Sequence, residues 1–199
     1  DLNNKENLYL FLMSKLQDDL KKFLNVKVVI GLLIFLIASL MWFKYIAGIV
    51  LIAIFAPFTF MTVRYSKLVP HISIESNTGM SAFMGYLYGT GIGSIYALIV
   101  GLFCYVANSF VSATYLAIPV LGAMCAAIMS IFAGMGVKFT TAFAITIIIR
   151  TVVAYFIYGL LGADPIERLT HQSSQALTNL ILYLPLLDAV YGLVKPFVG

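Results

Sequence analysis

The sequence predicts an all-α, polytopic membrane protein, and three observations carry this prediction. Hydrophobic residues make up 62% of the 199-residue chain and charged residues only 10%, whereas a soluble domain carries about 25% charged residues. The apolar residues form runs long enough to cross a bilayer as helices, unlike the short alternating segments of a β-barrel. Small residues recur at every fourth position from Ser81 to Gly101, a spacing that favours close packing of membrane helices.

Residues 1–25 are expected to form an amphipathic helix at the membrane interface, ahead of a single transmembrane domain over residues 26–199. Apolar residues such as Tyr9, Met13 and Leu16 follow helical spacing, with lysines and aspartates opposite them. This pattern favours a helix lying on the lipid bilayer, and the alternative is a helix that docks a partner protein.

Six or seven membrane spans are expected after this helix, and their number depends on residues 79–107. That region is either one long tilted helix or two short helices broken near Gly89-Thr-Gly91. With one long helix most lysines and arginines fall on one side, so the positive-inside rule favours six spans with the N-terminus inside. The expected spans are 28–43, 46–63, 79–107, 115–134, 138–161 and 176–194.

The glycine-rich stretch is expected to lie at the centre of the packed bundle. Small residues let helix backbones approach closely, and glycine-rich backbone inside a membrane must be shielded by protein or line a cavity. The stretch is therefore also expected to border whatever the protein binds. Its expected packing positions are Gly85, Gly89, Gly93, Ala97 and Gly101.

Arg150 lies in the middle of the predicted span 138–161 and marks a candidate site. A charge at that depth is costly unless it is paired or hydrated. In one interpretation Arg150 binds an anionic or strongly polar ligand together with the last span, where Asn179 and Tyr183 share a helix face. In the other it forms a structural ion pair with Asp188. The two interpretations are not exclusive.

Neither a catalytic motif nor a metal-binding motif is recognisable, so no enzyme activity, metal or cofactor is expected. Cys104 and Cys125 lie in apolar spans without metal-ligand spacing. Glu167 and His171 are four residues apart, but Asp164 ahead of them predicts an ordinary helix start. The net charge of +4 comes mostly from lysines near the N-terminal end and does not indicate binding of nucleic acid.

Three features follow one another between Pro70 and Gly134. They are the polar segment Ile72-Ser-Ile-Glu75-Ser-Asn77, the glycine series from Gly85 to Gly101, and the helix that runs from Tyr115-Leu-Ala-Ile-Pro119 through Ala127. This order resembles the S components, which are the substrate-binding subunits of energy-coupling-factor vitamin transporters.

The resemblance implies a helical bundle in a prokaryotic plasma membrane that captures a small, water-soluble, vitamin-like compound. Its partners would be other integral membrane subunits, namely a coupling subunit that works with ATPases. The implied substrate-binding residues are Glu75, Asn77, Arg150, Asn179 and Tyr183.

The alternative function is a non-catalytic subunit that scaffolds a larger membrane complex. This alternative predicts a dry interior in which Asp188 neutralises Arg150. Small-residue helix faces would then meet the helices of partner subunits.

Overall fold

A computed structural model describes residues 15, 26–66, 68 and 73–198 of the chain. Within these residues all regular secondary structure is helical, so the all-α class is confirmed. The amphipathic helix predicted over residues 1–25 lies outside the described residues, apart from Lys15.

The described chain divides into two compact units, with the boundary between Phe43 and Lys44. In the first unit, the described side chains of residues 30–35 are apolar or glycine and are exposed. The contacts and the site described below lie in the second unit. The helices are α1 (Val26–Ser66), α2 (Asn77–Tyr88), α3 (Thr90–Ile95), α4 (Gly101–Ala107), α5 (Ala113–Gly134), α6 (Phe139–Leu160), α7 (Pro165–Leu177) and α8 (Leu184–Val198).

Two π-helical segments join neighbouring helices into longer rods. Tyr96–Val100 connects α3 to α4, and Thr178–Tyr183 connects α7 to α8. With these joins, five helical stretches among the described residues are long and apolar enough to cross a membrane, as expected of a multi-pass integral membrane protein. They are Tyr45–Ser66, Thr90–Ala107, Ala113–Gly134, Phe139–Leu160 and Pro165–Pro196.

The region 79–107 is broken into two helices, which was one of the two alternatives left by the sequence. Gly89 separates α2 from α3 with a φ of 88°, a backbone conformation that glycine adopts without a steric penalty. Gly85 approaches Gly93 near this turn, and Asn77 approaches Gly101 far from it, so the helices run antiparallel. The orientation argument that assumed one long helix therefore loses its premise.

Helix α2 is too short to cross the bilayer by itself. Its 12 residues extend about 18 Å at 1.5 Å per residue, against about 30 Å of hydrocarbon. Ten of these residues are buried, so this short helix fills the centre of the second unit, and the chain just before it lies inside the bundle.

Close approaches at glycine hold the α2–α3 hairpin against α5. A Cβ added to Gly85 would lie 2.3 Å from the backbone oxygen of Ala126. One added to Gly93 would lie 2.6 Å from the Ala126 Cβ atom. Ala97 is fully buried, and its Cβ atom would lie 3.2 Å from one added to Gly122. The small residues thus bring three helices together at backbone distance.

Replacing Gly85 by alanine is expected to destabilise the bundle. Alanine favours a helix over glycine by about 0.5–1 kcal/mol, but overpacking a close-packed contact costs about 1–3 kcal/mol. Gly91→Ala is the matched control, because nothing lies within 4 Å of a Cβ added to Gly91. Thermal unfolding in mild detergent should show a lower midpoint for Gly85→Ala than for Gly91→Ala. Equal midpoints would mean that the contact with Ala126 does not limit packing.

Candidate functional site: a buried polar cluster

Six polar side chains from five parts of the chain meet in the interior of the second unit. Each is at most 2% exposed to solvent. We call this set the buried polar cluster. Its members are Glu75 before α2, Thr78 in α2, Arg150 in α6, Gln172 and Gln175 in α7, and Asn179 in the second π-helical segment.

Glu75 and Gln175 form the central contact of the cluster. The Gln175 side-chain amide donates a hydrogen bond to the Oε1 atom of Glu75. The Thr78 hydroxyl donates to the same oxygen over 3.0 Å, and it lies 3.3 Å from Gln175 Nε2. The start of α2 is thereby joined to α7 through buried polar contacts.

Residues 73–76, which we call the linker, precede α2. Their backbone contacts direct Glu75 into the bundle. The Ser73 amide donates to the Ser174 hydroxyl over 3.0 Å, and the Ile74 amide donates to the Ser66 hydroxyl over 3.1 Å. The Tyr183 hydroxyl donates to the carbonyl oxygen of Ile74. Two consecutive linker residues are therefore attached to both α1 and the last span.

Hydroxyl groups anchor the final linker residue, Ser76, to α1. Its hydroxyl lies 3.0 Å from the hydroxyl of Thr59 and 3.0 Å from that of Thr62. Thr59 also bonds the phenolic oxygen of Tyr96, in the first π-helical segment, over 2.6 Å. These contacts fix where α2 begins, and they hold Glu75 one residue earlier.

Arg150 enters the cluster from α6, where the membrane-spanning helix carries it to mid-depth. Its Nη1 atom donates to the Oε1 atom of Gln172. Its positive charge acts on Glu75 without a direct contact between the two groups: burial raises the pKa of the Glu75 carboxyl, and Arg150 opposes that shift. Arg150 and Glu75, which can carry opposite charges, are therefore both buried in the same part of the bundle.

Many hydrogen-bonding atoms of the cluster lack a partner within the part of the chain that the structure describes. Leaving one such buried atom unpaired costs about 1–3 kcal/mol, and folded proteins contain only a few. A concentration of them in one place is typical of a site that a polar molecule completes. They are Arg150 Nε and Nη2, Gln172 Nε2, Glu75 Oε2, Gln175 Oε1 and Asn179 Oδ1.

A cavity of about 250 Å³ adjoins the cluster. Tyr158 and His171 line it on the inner side, next to Arg150 and Gln172. Its other walls come from the start of α5, the α6–α7 connection and the start of α7. They include Thr114, Tyr115, Leu161, Gly162, Ala163, Glu167 and Arg168.

The structure brings three of the five predicted binding residues together in the cluster: Glu75, Arg150 and Asn179. Tyr183 lies beside it and holds the linker at Ile74. Asn77 lies apart from the cluster: it is fully buried, and its amide packs where Gly101 and Gly122 leave room.

Sequence analysis missed three members of the cluster, namely Thr78, Gln172 and Gln175. A signal for two of them was present, because Gln172, Gln175 and Asn179 are spaced three and four residues apart and therefore share one helix face. Two glutamines on the inner face of a membrane-spanning helix are costly unless they have partners.

Asp188 does not pair with Arg150. It is exposed on α8 and lines a different cavity together with Lys138 and Lys195, whereas Arg150 is buried against Gln172. The reason is helical geometry: Asp188 is nine residues beyond Asn179 and falls on the opposite face of the last span.

Comparisons with protein-family models, with curated proteins and with solved structures give no match for this chain. The fold and the cluster together define an integral membrane protein, a helical bundle with opposite charges enclosed among its spans. Among the described residues, no group of three or more His, Cys, Asp or Glu side chains is placed to hold a metal ion.

The stability of the ligand-free protein is expected to fall as the pH rises. The pKa of Glu75 is raised above its ordinary 4.5 in the folded state, so its stabilising contribution is complete below that value and is lost as the pH passes the folded-state pKa. As the pH rises from below 4.5 through the folded-state pKa of Glu75, the thermal unfolding midpoint should fall more steeply for the wild type than for Glu75→Gln. Asp188→Asn, which removes an exposed carboxylate, should keep the wild-type slope. A Glu75→Gln slope equal to that of the wild type would contradict the expectation.

Proposed function

We propose that this protein captures a small polar molecule in the buried polar cluster, as the substrate-binding subunit of a small-molecule uptake transporter. The observation that carries the proposal is the set of unpartnered hydrogen-bonding atoms around Arg150 and Glu75, all deep among the described membrane helices. A polar molecule with complementary groups would satisfy these atoms and recover the free energy that their burial costs.

The arrangement of the two charges favours ligand binding over a purely structural role. Opposite charges that only hold helices together are most stabilising when they touch. Here only the Nη1 atom of Arg150 donates to Gln172, and only the Oε1 atom of Glu75 accepts from Gln175 and Thr78. The Tyr158 hydroxyl lies near Arg150 and the Tyr105 hydroxyl lies near Glu75, and the atoms of both charged groups that stay unpaired are available to a ligand.

The position of the cavity supports access from one side of the membrane. It lies beside the start of α5 and the α6–α7 connection, and Tyr158 lies between it and Arg150. Arg150 is ten residues from Leu160, the end of its helix, which places it about 15 Å deep. A molecule that enters there reaches a site closed on its far side by the packed glycine hairpin.

One-sided access suits a capture subunit that depends on partners for release. This agrees with the resemblance to S components, in which a membrane coupling subunit and ATPases complete uptake in the plasma membrane. The scaffold alternative expects Arg150 to be neutralised by Asp188, and the separation of these two side chains favours capture.

Native mass spectrometry of the gently solubilised protein tests the proposal. The wild type is expected to retain a small polar molecule, and Arg150→Ala should lose it. Lys138→Ala is the control, because Lys138 is exposed at the other end of α6, and this variant should keep the molecule. A wild-type protein that carries no small molecule, and that co-purifies with other membrane proteins, would favour the scaffold instead.

A further inference from the structure

We infer that the ligand of the buried polar cluster is zwitterionic, with an acid group held by Arg150 and Gln172 and a protonated nitrogen held by Glu75, Gln175 and Asn179. The inference rests on the proposed capture function and deepens it by naming the substrate class. It follows from how the unpartnered donors and acceptors are distributed.

The orientation of each side-chain amide is determined by the partner that one of its two polar atoms bonds. Gln172 must direct its oxygen toward Arg150, because a guanidinium group only donates. Gln175 must direct its nitrogen toward the carboxylate of Glu75, because a carboxylate accepts. Asn179 donates from Nδ2 to the backbone oxygen of Gln175 over 2.9 Å, and that oxygen accepts only.

These orientations separate donors from acceptors within the cluster. We call Arg150 and Gln172 the Arg150 half of the cluster, and Glu75, Gln175 and Asn179 the Glu75 half. Within the described residues, the unpartnered donors of the Arg150 half are Nε and Nη2 of Arg150 and Nε2 of Gln172. The unpartnered acceptors of the Glu75 half are Oε2 of Glu75, Oε1 of Gln175 and Oδ1 of Asn179. The hydroxyls of Tyr105 and Tyr158 also lie nearby, and they serve either role.

Each half matches one charged group. The fork of Nε and Nη2 on an arginine suits the paired oxygens of a carboxylate or phosphate. Three acceptor oxygens, one of them on a carboxylate, suit an ammonium group, which has three donors and no acceptor.

Charge balance favours a molecule with both groups over one with either alone. Arg150 and Glu75 already neutralise each other at a distance, so a zwitterion enters without adding net charge to the interior. An anion alone would leave Glu75 without a partner, and a cation alone would leave Arg150 without one. A buried charge that lacks a partner is strongly destabilising.

Gly79 makes room for the acceptor half. A Cβ added at this position would lie 2.8 Å from Oδ1 of Asn179, the oxygen assigned to the protonated nitrogen. The glycine therefore lets this amide occupy the space above α2, and a larger residue there would displace one of the three acceptors.

The experiment uses the purified protein in mild detergent, after dialysis. The probes are the free L-amino acids and 4-aminobutyrate, each beside its methyl ester and its N-acetyl derivative. Any compound that the wild type releases on denaturation is tested in the same way, beside its methyl ester and its N-acetyl derivative. Binding is measured from the shift of the thermal unfolding midpoint with probe concentration.

We expect the zwitterionic form to bind, and each blocked form to bind at least about tenfold more weakly, as for loss of a charged hydrogen bond. Glu75→Gln should reduce the penalty on the N-acetyl form, and Arg150→Gln should reduce the penalty on the ester. Asp188→Asn should leave both penalties unchanged.

The failures of the two proposals are distinguishable. A retained or bound compound that lacks either charge would overturn the zwitterion and leave capture standing. Penalties unaltered by Glu75→Gln and Arg150→Gln would overturn the assignment of the two halves. A wild type that releases no compound and responds to no probe would overturn both proposals.

Discussion

The hydrogen bond from Gln175 to Glu75 is the contact on which the site depends. It joins the linker before α2 to the last membrane span, so one short polar segment is held deep in an apolar bundle. The cost of burying a carboxylate is offset by Gln175, by Thr78 and by the charge of Arg150. If the linker moved outward, Arg150 would keep only its contact with Gln172.

Glycines in and beyond the α2–α3 hairpin support the position of this linker through close packing. Since α2 is too short to span the membrane, it leaves room for the linker to enter, and it must still pack tightly to exclude lipid. Gly85 and Gly93 allow that packing against Ala126 at backbone distance. Gly79 and Gly101 face polar side chains instead, so glycine in this hairpin both joins helices and makes space for amides.

The fold class was predictable from the sequence, whereas the composition of the site was predictable only in part. Apolar length alone predicts the membrane helices, and the penalty for a charge in a membrane singles out Arg150 without a structure. The break at Gly89 was left open, because glycine permits a turn without requiring it. Gln172 and Gln175 were missed because the last span was expected over 176–194, whereas α7 continues through a π-helical segment into that span.

The last span turns its polar face inward over only part of its length, and the π-helical segment lies within that part. A π-helical turn holds more residues than an α-helical one and shifts the register of the helix beyond it. Before the shift, Gln172 and Gln175 face the bundle interior; within it, Asn179 and Tyr183 do so; beyond it, Asp188 is exposed. Gln172, Gln175, Asn179 and Tyr183 are spaced three, four and four residues apart, so they share one face of the last span. That single face carries both the cluster and the contact of Tyr183 with Ile74.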